Sequence, residues 1–549
     1  MPVLRDTDRA QIDSSYSNLQ ALTRIAGEFL EREMYLHAAA AAQIAARYGS
    51  YNHPGEFVSA QLEHVLRGIG RDGLRSREPR VEGRRPLRGA PPRVLHVLTA
   101  AKDIGGDSRF VWRWIERDSE RRHSVALTEQ LYFEVPEPLS AAVAARNGGV
   151  HVLDRGGANA LQRAQALRDL ATDVDIVFLH VYVEDIIPVI AFADRAALPP
   201  IVFVVQADHQ FWIGVSVCDA FLHLRESGIA LSERRRGIPR QRTALLSIPL
   251  EPPTRTLTRR EAKKRLGLPE DAVLLLSIAR AVKYTAIDGP SFPEAAERIL
   301  ARHPEALLMA LGPQRAGSWE AVELRTGGRL RALGQRSDTA IFYQAADIYL
   351  DSFPFSSNTS LLEAGGYGIP LVSYFPYSSD SDVLGPGSPG LDGTLIRATD
   401  LVEYEESVSR LIESGKARLA LGRKTRHCIR QLHSGEAWQS QVDRVYRAVA
   451  QMALDGAAVS AGVPRRPGET DHLLMRLYAG QAPLGRVIGW YGRHLPYHIR
   501  VRLLRKMMCL DRTFSFSMFL PGWLNQRVAS RLKGWRRLPG MGRLLGATK

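Results

Sequence analysis

Cysteine is scarce: only Cys218, Cys428 and Cys509 occur in 549 residues, far apart and in no CxxC spacing. That excludes a disulfide framework and a cysteine-ligated zinc site, and it suits a reducing, cytoplasmic setting. Long apolar runs are missing as well. A membrane-spanning helix needs roughly 18 or more apolar residues, and the richest run, Asp175 to Phe192, is interrupted by His180, Glu184 and Asp185. The opening MPVLRDTDRAQID lacks the apolar centre of a secretory leader, so neither a transmembrane helix nor export is expected. No GxGxxG fingerprint and no repeat of solenoid period is present. Finally, the body lacks a charge excess. The formal net charge is +15, but residues 461–549 hold 17 Arg and Lys against three acids, so nearly all of it lies in the tail. Basic charge is therefore no argument for a nucleic-acid protein, and no nucleic-acid partner is expected.

What is present is alternation. Residues 1–75 read as an Ala- and Leu-rich helical region broken at Asn52-His53-Pro54-Gly55, and 76–91 as an exposed linker of Arg, Pro and Gly. From Pro92 the pattern changes to buried-strand runs separated by helical segments: Arg93–Thr99, Val125–Leu127, Val150–Leu153, Asp175–His180 and Ile201–Val205. After the break SIPLEPP a second series begins, with strands at Val273–Ile278, Ala306–Leu311, Ile348–Leu350 and Ile369–Ser373. The fold class is thus α/β, with two Rossmann-like domains at 92–250 and 251–435. A crossover helix at 436–460 and a basic extension at 461–549 complete the reading.

The most informative stretch is ADIYLDSFPFSSNTSLLEAGGYGIPLVS, residues 346–373. A strand runs into a polar loop, and a helix opens at Asn358, Thr359 and Ser360. Backbone N–H groups at such a helix start suit a phosphate, and ligands of open α/β sheets bind at this end of the strands. Glu363, one turn on, is spaced to accept hydrogen bonds from ribose hydroxyls. The alternative is plain N-capping with Glu363 in solvent. In the first α/β series, Asp208 and His209 stand beside Phe211 and Trp212, groups able to move a proton against aromatic surface. Gly105 and Gly106 follow the first strand and permit a close backbone approach.

The 346–373 stretch resembles the donor-site motif of glycosyltransferases with the GT-B fold, in particular the LDxFPxxxxTTxxEALxxGxPVV pattern of O-GlcNAc transferase-like enzymes. It is similar also to the donor motif of the large retaining family that includes sucrose and mannosyl transferases. The sequence departs from both: Phe355 stands where a Glu-x7-Glu pair has its first acid, and Asn358-Thr359-Ser360 replaces Gly/His-Thr-Thr. The resemblance leaves retention or inversion undecided. It implies two domains facing a cleft, and a nucleotide-sugar donor in the C-terminal one. Arg280 and Lys283, after the strand VLLLSI, would neutralise the leaving diphosphate, work otherwise done by a metal. The segment around Asp208 and His209 is similar to the HADHxFW segment of some bacterial glycosyltransferases, which implies His209 as base or donor-sugar contact and Asp208 as its orienting group. Gly105 and Gly106 resemble the acceptor-side glycine loop, and His180 points to the same cleft on the same logic. Asp380-Ser381-Asp382 has the DxD form but follows the donor helix, so no cofactor and no metal are expected.

From Asp471 onward Arg alternates with aromatic and aliphatic residues, as in helices that lie on anionic lipid. The expected partners are a nucleotide sugar, a glycan, lipid-linked or protein acceptor, and an anionic membrane surface, with the protein peripheral on the inner face. Packing of those helices on the enzyme body is the alternative. Two other functions stay open: a nucleotide-sugar 2-epimerase-like isomerase, and a non-catalytic scaffold of the same fold.

Overall fold

A computed structural model describes residues 5–75, 91–103, 105–195, 198–287, 289–377, 387–454, 463–465, 467–477, 482–492 and 495–508. The linker at 76–90 and the Asp380-Ser381-Asp382 segment lie outside these residues, as does 509–549.

Three helices open the chain: α1 (Asp6–Leu30), α2 (Tyr35–Tyr51) and α3 (Ala60–Asp72). The break between α1 and α2 carries no Gly or Pro; Glu33 takes a left-handed φ of 57° there, so sequence showed only the second break. These helices share one apolar core with one face of the first sheet and are not a free-standing unit. Glu63 of α3 fastens them, accepting from the backbone N–H groups of Gly214, Val215 and Ser216 at 2.7, 2.9 and 2.6 Å.

The first α/β domain runs β1 (Arg93–Leu98), α4 (Gly106–Arg117), β2 (Arg122–Leu127), α5 (Glu137–Ala145), β3 (Val150–Val152), α6 (Ala160–Ala171) and β4 (Ile176–Leu179). It continues with α7 (Ile186–Ala191), β5 (Ile201–Val205), β6 (Ala220–His223), α8 (Glu226–Arg236) and β7 (Thr243–Leu245). The second runs α9 (Arg259–Arg265), β8 (Val273–Ile278), α10 (Phe292–Arg302), β9 (Ala306–Leu311), α11 (Ser318–Arg325), β10 (Leu330–Ala332) and α12 (Thr339–Ala345). Its remainder is β11 (Ile348–Leu350), α13 (Asn358–Gly366), β12 (Leu371–Tyr374), β13 (Leu395–Ala398) and α14 (Leu401–Glu413). Then come α15 (Gly415–His433), α16 (Gly435–Leu454), α17 (Glu469–Leu477), α18 (Leu484–Tyr491) and α19 (Tyr497–Met508).

Both sheets are parallel, in the orders β3-β2-β1-β4-β5-β6-β7 and β10-β9-β8-β11-β12-β13. In each, the chain reverses its direction of travel across the sheet, between β1 and β4 and between β8 and β11. The loops after those strands diverge there and leave a crevice at the carboxyl edge, where ligands of such sheets bind. The two domains are joined at 246–253 and again at 433–435, where Leu250 N–H donates to the His433 carbonyl at 2.8 Å. Helix α16 then crosses back and buries Trp438, Val442, Val445 and Val449 in the first domain's core. Among the described residues no helix is long and apolar enough to cross a membrane.

Candidate active site

The polar loop after β11 is shaped by a buried carboxylate. Asp351 accepts from the Ser357 N–H at 2.9 Å and from Ser356 Oγ at 2.5 Å, which turns the chain into α13. The Ser357 side chain does not cap that helix. Its hydroxyl instead meets Ser360 Oγ at 3.1 Å and accepts from Lys283 Nζ at 3.3 Å, so the N-capping alternative does not describe Ser357. Asn358, Thr359 and Ser360 are partly solvent-accessible, and Asn358 Oδ1 accepts from Ser388 Oγ at 2.9 Å.

Lys283 arrives from the loop after β8, on a short turn pinned by the Tyr284 hydroxyl 2.8 Å from Ser277 Oγ. Its Nζ donates to the Ser356 carbonyl at 3.0 Å and sits 4.8 Å from the centre of the Phe355 ring. Burial, with Arg280 and Arg225 nearby, lowers Lys283 to about 7 despite the attraction of Asp351 and Asp107. Arg280 is exposed on the same loop. A cation with so low a proton affinity is poised to be recharged by an incoming anion.

The opposite wall is the glycine turn and α4. Gly105 has φ 148°, where a side chain is strained. A Cβ built on Gly106 lies 3.6 Å from Thr359, so the turn and the start of α13 face each other across the gap at van der Waals distance. Next to Gly106, Asp107 is solvent-exposed. Burial raises its carboxyl above the ordinary carboxylate range, against the pull of Arg280, Lys102 and Lys283. One turn on, Arg109 pairs with Glu363 at 3.2 Å, and the Tyr343 hydroxyl donates to the other Glu363 oxygen at 3.3 Å. Glu363 thus bridges the domains and lines a cavity of about 340 Å³ with Arg109, Arg113, Glu251, Tyr343 and Tyr367.

Asp208 and His209 follow β5 and lie against each other. Both Asp208 oxygens are gripped by Arg225, at 2.5, 2.7 and 3.1 Å. Burial alone would raise this carboxyl, but Arg225 and His209 outweigh it and hold it far below the ordinary range. His209 Nδ1 is 3.5 Å from Asp208, and its ring meets Phe355 edge-on at 4.9 Å. Asp208 is therefore primarily an anchor for Arg225. Burial lowers His209, which favours the neutral imidazole. His180 does not line the cleft: it is 3 % exposed in the first domain's core, 3.0 Å from His96, because the strand's pleat turns this side chain into the sheet's packed face.

The structure brings Gly105, Gly106, Arg280, Lys283, Asn358, Thr359, Ser360 and Glu363 to one gap, with His209 behind Phe355. Sequence reasoning passed over Asp107, Arg109 and Arg225; Tyr343 belongs to the Phe342-Tyr343-Gln344 segment that the resemblance places at the base. Asp107 follows the two glycines that were noticed and could have been found by extending that turn one residue. Arg109 on α4 and Arg225 just before α8 are solitary residues without a local signal.

No protein-family profile matches the chain. A D-inositol 3-phosphate glycosyltransferase of Thermobifida fusca is 27% identical over 201 residues, covering 34% of this chain and 44% of that protein. The chain thus spans under half the length of that relative. Among solved structures, HepE of Anabaena in complex with UDP superposes with a TM-score of 0.50 at 13% identity, over 65% of this chain and 100% of that one. A glycosyltransferase from Rickettsia africae does so with a TM-score of 0.50 at 9% identity, over 66% and 100%. These likenesses establish the fold, two Rossmann-like domains in the GT-B arrangement.

Proposed function

We propose that this GT-B chain is a glycosyltransferase that moves a sugar from a nucleotide-sugar donor to an acceptor hydroxyl. The observation that carries the reading is the meeting of Gly106 with Thr359 across the gap, beside Lys283 and under the uncapped start of α13. A diphosphate beside this contact would face N–H groups of α13 and the cations Lys283 and Arg280, which neutralise charge growing on the leaving group. Glu363 and Tyr343 border the 340 Å³ cavity that takes the ribose and base. UDP in the Anabaena structure makes uridine the first base to try. On the acceptor side, Asp107 takes the hydroxyl proton. Its open access beside Gly106 fits that task better than Asp208, whose oxygens are committed to Arg225. No metal is assigned, since side-chain cations supply the charge.

The partners follow the same logic. The acceptor is a glycan, a lipid-linked sugar or a protein, and a role in surface-glycan synthesis fits a sugar-transfer cleft joined to a basic, aromatic tail. Leu473, Leu474 and Leu477 of α17 and Leu484, Val487 and Ile488 of α18 are packed on the body, whereas Trp490 of α18 and Tyr497 of α19 are exposed. Lipid contact on the cytoplasmic face falls to those exposed aromatics, with Arg486 and Arg502 near them in the chain, and to residues 509–549, which lie outside the described residues.

The test is a thermal-shift series with UDP-, GDP- and ADP-sugars, followed by nucleotide-release assays with EDTA present. At a hundredfold excess over Kd a ligand of the folded state adds about 2.7 kcal/mol, enough to raise Tm by several degrees. Asp107→Asn is expected to keep that shift and lose nucleotide release to acceptor. If no nucleotide sugar moves Tm, the donor site is misassigned.

A further inference from the structure

After α16 the chain comes back over both domains, and α17 touches three bodies at once. Toward the N-terminal helices, His472 Nδ1 donates to Asp8 at 2.6 Å and Arg476 donates to the same carboxylate at 3.2 Å. His53 Nε2 lies 2.7 Å from Asp471. Toward the first α/β domain, Arg235 of α8 donates two bonds to Asp471 at 2.8 and 3.1 Å. Leu473, Leu474 and Leu477 join one apolar cluster with Phe57 of the N-terminal region, Leu231 of α8 and, from the second domain, Phe355, Phe375 and Tyr377. Asp471 and His472 are both 0 % exposed. A segment that buries polar groups and satisfies them is a built interface with one geometry, not a tail lying where it happens to fit.

Phe355 is the member of that cluster that also faces the cleft. Lys283 Nζ stands over its ring, His209 meets its edge, and its own N–H donates to the Lys283 carbonyl at 3.3 Å. The loop that carries it, 351–357, is irregular, and a cleft group on such a loop keeps its place only if the residues behind it are fixed. Phe355 is packed on the cleft side by Lys283 and His209. Its other support is the cluster that α17 fills.

Taking the donor reading above as its premise, we propose that α17 is a strap whose Leu473, Leu474 and Leu477 hold Phe355, and through it Lys283 and His209, in the donor-binding arrangement. These leucines are positioning residues: they touch no substrate, and they act through the aromatic ring. A segment outside both α/β domains thereby sets the strength with which the cleft holds a diphosphate. Helix α8 gives the strap a second hold, since Arg235 at one end grips α17 and Arg225 before the other end grips Asp208 beside His209.

The experiment uses the full chain and titration calorimetry with uridine, guanosine and adenosine diphosphate, comparing wild type with Leu473→Ala/Leu474→Ala. The double variant is expected to bind the preferred diphosphate roughly tenfold or more weakly. Its affinity should also lose much of the pH dependence between 7 and 9 that a lowered Lys283 imposes. Leu473→Met/Leu474→Met, which restores the volume, should recover both. Leu484→Ala in α18, buried elsewhere, is the control for general destabilisation and should leave affinity unchanged. Should the double variant not fold, Leu477→Ala carries the same test. Unchanged affinity and pH profile in the strap variant, or an equal loss in the Leu484 control, overturns the strap. A wild-type chain that binds none of the three diphosphates overturns the donor reading, and the strap's role falls with it.

Discussion

Lys283 is a cation held where a cation is costly. Its value of about 7 lies below the ordinary 10.5, so in the empty protein it disfavours the folded state increasingly as pH falls from 10.5 to 7. A bound diphosphate reverses the sign, since it favours the protonated amine. Above pH 7 the free protein must take up a proton before the pair can form, and affinity should fall with rising pH by up to about tenfold per unit. Calorimetry between pH 7 and 9, in buffers of different ionisation enthalpy, should show that uptake. Lys283→Gln should bind more weakly and with a flat profile; a wild-type affinity independent of pH contradicts the assignment. Nothing in the primary structure announces the shift. The residue type and its place after a strand were legible, whereas Phe355, Ser356 and Asp351, which make the environment, come from another strand's loop.

The same division holds for whole elements. Strands that are runs of Val, Ile and Leu, such as Ile201–Val205 and Val273–Ile278, were legible to the residue, because parallel strands covered on both faces leave that pattern. The strands β6, β7, β10 and β13 were not read: they are three or four residues long, and β7 and β13 are only half-buried for most of their length. Nor does spacing reveal that three strands align their histidines. His180 on the loop after β4, His96 on β1 and His123 on β2 form a line with 3.0 and 2.9 Å between ring nitrogens, ending 3.4 Å from Asp118. Burial drives His180 down to about 3 and His96 well below 6.5. Both stay neutral in the fold and take up protons on unfolding, so stability is full above pH 6.5 and is lost as pH falls toward 3. Each contributes up to about 1.4 kcal/mol per pH unit in that window. Tm measured from pH 7 to 4 should drop steeply. His180→Phe should flatten the drop, while costing about 1–3 kcal/mol at pH 7 through the lost partner of His96. An unchanged slope in the variant would place the titrating groups elsewhere.

At the scale of the whole molecule, domain order in the chain is not domain order in space. The second domain's core is completed by α14 and α15, yet the helix that follows them enters the first domain's: Trp438, 0 % exposed, packs edge-on to Trp114 and donates its indole N–H to the Ser247 carbonyl at 2.7 Å. Arg121 stacks 3.9 Å over Tyr446 and pairs with Asp443, fastening the same helix from outside. The first domain is thus finished by a segment synthesised after the second. Removing that indole should cost about 3–5 kcal/mol, the usual range for a buried aromatic cut to Ala. For a domain of this size that amounts to a fall in Tm of roughly 10 °C. The loss should fall on one domain. In scanning calorimetry Trp438→Ala should lower the transition of the first domain and leave that of the second, whose two apolar clusters contain no residue of α16, in place. Trp438→Phe, which keeps the ring and loses the N–H bond, should fall between. If both transitions move together, the helix stabilises the pair as one body, and the cleft's opening and closing must then be limited by α16 rather than by the two connections at 246–253 and 433–435.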